Sequence, residues 1–285
     1  MSAASTIPLT PGRETPGAVL GMLERRVTIG TVGALVGLAA VAWALTIQQS
    51  VGMAGMVTGL AQVGNQMPNP VTAPVFLLMW LTMMVAMMFP TIAPMVLAHR
   101  LVVVHRDEGA LPSVAFVLGY LVVWTIIGLG PLAVFLAFRD LPEDQPLTGW
   151  LPRLSGLVLV GAGLYQFTSW KRACLRACRT PLGFIMTHNF GSGLPGALKA
   201  GLSHGAYCLG CCWALMTVLV LVGLMNLVWM AALALVFLAE KNLRHGVMLN
   251  RLVGTAVALL GCAVLLFPDV LGVVSGVTAS PMSGM

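Results

Sequence analysis

Long apolar runs divided by short polar breaks dominate the hydrophobic pattern of this chain. A run of about 20 apolar residues reads as a helix that spans a bilayer. Seven such segments are predicted, at 27–48, 73–98, 112–138, 154–170, 194–224, 226–241 and 247–267. Residues 1–26 are polar and rich in Pro and Gly, and predict a disordered cytoplasmic tail. Residues 269–285 predict a flexible tail on the outer side. The expected fold is all-α: one polytopic transmembrane helical bundle over 27–268, with no second domain.

Composition sharpens this picture. The 285 residues are 58% hydrophobic and only 8% charged, with a mean hydropathy of +0.94. A soluble domain carries about 25% charged residues. The net charge of +6 therefore speaks to topology rather than to nucleic acid, since cytoplasmic loops of membrane proteins collect Lys and Arg. With the N-terminus inside and seven spans, every Lys and Arg falls on the inner side except Arg139 and Arg153. The expected location is the inner (plasma) membrane, with the lipid bilayer as the first partner. No basic region precedes an apolar core at the start, so no cleavable signal is expected.

The candidate chemistry sits in the fifth segment, in "SHGAYCLGCCWALM". Residues three and four apart share a helix face. His204, Cys208 and Cys211 follow that spacing, and Cys212 lies four residues before Met216. Thiolate, imidazole and thioether are the donors that soft metals prefer. Cysteine also packs as a small apolar residue, so core filling is the competing explanation. Cys208 and Cys211 are the expected primary ligands. Cys212 is directed about 100° away from Cys211 on an ideal helix. It would need another helix, or Cys174 and Cys178, to complete a site.

Three further stretches extend the constellation. In "MWLTMMVAMMFP", Met83, Met84, Met87 and Met88 form neighbouring stripes ahead of Pro90 and Pro94. They are either flexible core filler or a thioether ladder for Cu(I). The inner loop "KRACLRACR" carries Cys174 and Cys178, which share a face if it is helical. Arg172, Arg176 and Arg179 are expected to lower both thiol pKa values. His188 follows in a Gly-flanked turn. Glu240 and Lys241 close the sixth segment, as an interfacial anchor or as charged support near the inner mouth. Acidic residues are almost absent from the spans, which argues against a hard cation.

Taken in order, "MWLTMMVAMMFP", "YQFTSWKRACLRACRTP", "GAYCLGCCWALM", "GLMNLVWM" and "AEK" resemble the DUF2182 family of predicted metal-binding integral membrane proteins. The likeness covers roughly residues 70–245. It implies metal binding, with Cys174, Cys178, Cys208, Cys211, Cys212 and Met216 as the matching positions; His204 and His188 rest on spacing alone. It also implies a membrane copper chaperone that helps load a client copper oxidase or other metalloprotein. The expected cargo is Cu(I), with zinc as the other candidate. Two rival functions stay open: a membrane redox enzyme (copper oxidase or thiol–disulfide exchanger), and a structural subunit of a membrane complex.

Overall fold

A computed structural model describes residues 16–52, 73–138, 150–187, 191–224 and 226–275. Its helices run in the order α1 (Pro16–Gly52), α2 (Ala73–His105), α3 (Leu111–Phe138), α4 (Leu151–Tyr165), α5 (Ser169–Arg179), α6 (Pro181–Thr187), α7 (Gly193–Val222), α8 (Leu227–Asn242), α9 (Gly246–Leu266) and α10 (Asp269–Ser275). No strand occurs among the described residues. Among the described residues, five helices, α1, α2, α3, α7 and α9, are long and apolar enough to cross a membrane. The other two expected spans are shorter. α4 has 15 residues and α8 has 16. At 1.5 Å per residue they reach about 22–24 Å, against a hydrocarbon core of about 30 Å.

The helix ends depart from the expected boundaries in several places, α2 running on to His105 rather than ending at 98. α1 begins at Pro16, inside the stretch expected to be a tail. Proline at a first helical position has its φ already set, and no further proline follows in "GAVLGMLERR". α10 occupies part of the expected outer tail. The fourth segment stops at Tyr165, and its basic continuation forms the separate helix α5. The Thr168 side chain caps α5 by accepting from the Lys171 backbone N–H at 3.2 Å. Thr180 ends it, because the residue before a proline is disfavoured in the α conformation.

Helix directions follow from the contacts. α3 and α7 run parallel: Gly201 lies against the Phe116 backbone and Gly205 against Tyr120 and Val123. A Cβ at Gly201 would overlap the Phe116 carbonyl, so the close approach requires glycine there. α2 and α3 are antiparallel, with Trp80 Nε1 donating to the Trp124 carbonyl near one end and His99 stacked on Phe116 near the other. α4 and α9 are antiparallel, joined where Gly156 meets Gly261 and Gly163 meets Gly254. α1 and α2 are antiparallel as well, with Glu24 3.7 Å from His105. The core lies among α2, α3, α7 and α8, where Met84, Met88, Phe116, Tyr120, Trp124, Leu215 and Phe237 are fully enclosed.

Candidate metal centre

The α7 sequence places three thiols in the driest part of this core. Cys208, Cys211 and Cys212 are 0%, 2% and 1% exposed. Their sulfurs all lie within 4.8 Å of one another. Cys211 Sγ is 3.3 Å from Cys212 Sγ, and the Cys211 thiol donates to the Cys208 carbonyl at 3.1 Å. This corrects the expectation that Cys212 points away from Cys211. Consecutive Cα atoms are only 3.80 Å apart, so side-chain rotation brings two neighbouring sulfurs together despite the angle between their Cβ directions.

A fourth sulfur arrives from α5. Cys178 Sγ lies 3.8 Å from Cys211 Sγ. Cys174, one turn earlier on α5, seats its sulfur over Gly210, where a side chain on α7 would collide with it. The α5 loop is therefore a helix, and its two cysteines do share the face turned to α7. The expected effect of the arginines on these thiols is not found. Burial pushes the Cys174 thiol above its usual value, and the charge that opposes this is Lys171. Cys178 is pushed well up, first by the neighbouring Cys208 thiol. The arginines are engaged elsewhere. Arg172 and Arg176 are exposed, and Arg179 donates to the carbonyls of Glu240 and Leu243 at the end of α8.

Two lysines and a glutamate surround the sulfurs. Lys241, 6% exposed, donates to Cys208 Sγ at 3.2 Å and to Thr91 Oγ1 at 3.1 Å; Met88 Sδ is 3.9 Å from the same ammonium. Lys171 is fully buried; it donates to the Cys211 carbonyl at 2.6 Å and pairs with Glu240 at 2.9 Å. Charged groups this deep persist only when paired and hydrogen-bonded. Glu240 and Lys241 are thus internal parts of the site rather than interfacial anchors. Tyr120 adds a hydroxyl 3.2 Å from Cys208 Sγ, and Tyr165 donates to the Gly210 carbonyl at 2.7 Å.

The other expected ligands are placed as follows. His204 is buried one turn before Cys208 but outside the three-sulfur group. Its ring sits among Phe116, Tyr120 and Phe184, and its Nδ1 has no hydrogen-bond partner among the described residues. Met216 is buried one turn beyond Cys212. Met83, Met84 and Met87 lie in the apolar core, while Met88 reaches the polar site. His188 lies outside the described residues. Lys171, Tyr120 and Thr91 were not anticipated. Only Lys171 carried a signal, standing three residues before Cys174 and so on the same helix face.

The donor set fits a soft ion. Three or four sulfurs converge, carboxylate oxygen stays one layer out on Lys171, and the surroundings exclude water. Thiolate and thioether donors in such a site select Cu(I) over Mg or Ca.

Neither a curated protein nor a solved structure matches the chain significantly. A family model described as PpoB2, copper chaperone, matches residues 77–264, which includes α3 to α8 and most of α2 and α9. That match takes in every described residue of the sulfur site and covers well over half of the chain, which therefore belongs to the PpoB2 copper chaperone family.

Proposed function

We propose that this protein binds Cu(I) within the membrane through Cys208, Cys211 and Cys212 and hands it to a client copper oxidase. The observation that carries this function is the three buried sulfurs lying within 4.8 Å of one another on α7. Cu(I) accepts two or three soft donors, so it can bind here with little rearrangement. The Lys241 ammonium beside Cys208 offsets the negative charge of a Cu(I)–thiolate centre, which would otherwise be costly in a low dielectric. Lys171 and Glu240 form a neutral pair behind it. No nucleotide-binding loop or other energy-coupling motif occurs in the sequence, which favours binding and handover over pumping. The narrower likeness to the DUF2182 proteins belongs to the same proposal.

The proposed setting is the plasma membrane, in seven spans with the N-terminus inside. The parallel pair α3 and α7 and the antiparallel pairs α1–α2, α2–α3 and α4–α9 suit that alternation. The basic helix α5 and the ends of α2 and α8 then share the inner side. α4 and α8, too short to span alone, would cross with local thinning of the bilayer or with their ends drawn inward.

Elemental analysis of the purified protein after anaerobic Cu(I) loading tests the function. About one copper per chain is expected, and almost none in a Cys208→Ser, Cys211→Ser, Cys212→Ser variant. Zinc in place of copper, or equal copper in both proteins, would overturn it.

A further inference from the structure

The sulfur cluster is sealed. Its three cysteines are at most 2% exposed, so cargo needs a path to them. Two sulfurs outside α7 offer one. Cys174 is partly exposed on α5, a helix outside the spans whose opposite face carries the exposed Arg172 and Arg176. Cys178 lies one turn along the same face, with Cβ atoms four residues apart separated by roughly 5–6 Å. Its Sγ is in turn 3.8 Å from Cys211 Sγ. Gly210 leaves the room in which the Cys174 sulfur rests against α7. Together these set sulfurs in successive steps from the basic surface to the buried cluster.

We propose that Cys174 and Cys178 are the port through which Cu(I) enters and leaves the cluster on the α5 side. The port rests on the Cu(I)-binding function above. Copper passes by ligand exchange, from Cys174 to Cys178 to Cys211. At each step one Cu–S bond forms and one breaks. The thiol that accepts the metal gives up its proton, the sulfur that releases it regains one, and copper stays Cu(I) throughout.

Rates test the port, whereas equilibrium copper content tests the function beneath it. Full-length protein in detergent is loaded with Cu(I), and the metal is withdrawn by excess bathocuproine disulfonate while the absorbance of the chelate is followed. The Cys174→Ser, Cys178→Ser variant is expected to keep its copper but to release it at least about tenfold more slowly, a barrier increase of about 1.4 kcal/mol. Cys174→Ala alone, at a partly exposed position, serves if the double variant does not fold; it too should slow release. Cys262→Ser, at an exposed position on α9, should leave the rate unchanged. A wild-type rate in the port variants overturns the port. Loss of copper from them also overturns it, because the pair would then be primary ligands. If the wild type itself takes up no copper, the binding function fails and the port fails with it.

Discussion

Lys241 owes its role to its depth rather than to its residue type. At a membrane interface a lysine is an anchor; here its ammonium is held by Cys208, Thr91 and Met88. Lys241→Met keeps much of the volume and removes the charge. Cu(I) binding, measured by competition with a chelator, should weaken at least about tenfold, or about 1.4 kcal/mol, with the fold retained. Unchanged affinity would make Lys241 a packing residue. Behind it, Glu240→Gln leaves Lys171 buried without its counter-charge. Breaking such a pair costs about 3–5 kcal/mol, so thermal unfolding should shift strongly downward. Adding Lys171→Met should recover most of the loss, and failure to recover it would show that the pair is not coupled. The thiols were legible in the sequence because i, i+3 and i, i+4 spacing fixes a helix face. The meeting of Cys211 with Cys212 was not, because rotamers rather than Cβ directions decide it. Lys171 was marked only by its place one turn before Cys174, and Tyr120 comes from α3 through packing that no local pattern encodes.

At the scale of elements, the apolar runs located the helices, of which five are long enough to cross a membrane among the described residues. The breaks between them were harder to read, since a basic segment such as "KRACLRACR" is equally compatible with a loop and with a surface helix. The absence of Gly and Pro within it, with Thr168 ahead and Pro181 behind, is what favours α5. α2 poses the opposite problem. Its methionines suit both packing and sulfur chemistry, and of the four only Met88 is seen to touch the polar site. Replacing Met83, Met84, Met87 and Met88 with Leu costs under about 1.5 kcal/mol each. The variant should fold, as judged by circular dichroism, and deliver less Cu(I) to a client. Full delivery would return all four to the core. The α3–α7 contact makes a sharper demand. Gly201→Val should destabilise the protein by about 1–3 kcal/mol through overpacking, measured by unfolding in detergent, because its side chain would meet the Phe116 backbone.

For the whole molecule, the distribution of Lys and Arg favours the proposed orientation, and the helix directions suit it. Reporter fusions after Gly64 and after Ser275 should both report the outer side; an inner signal at either would refute seven spans with the N-terminus inside. Within that frame the soft donors are concentrated where α7 meets α5 and α8, and the proposed function turns on that cluster. Copper-edge X-ray absorption on the Cu(I)-loaded protein tests this most directly. Short Cu–S contacts should be present in the wild type and in Cys262→Ser, and should vanish in Cys208→Ser with Cys211→Ser. The same Cu–S signal in that double variant would contradict the account, and the cysteines of α7 would then be packing residues.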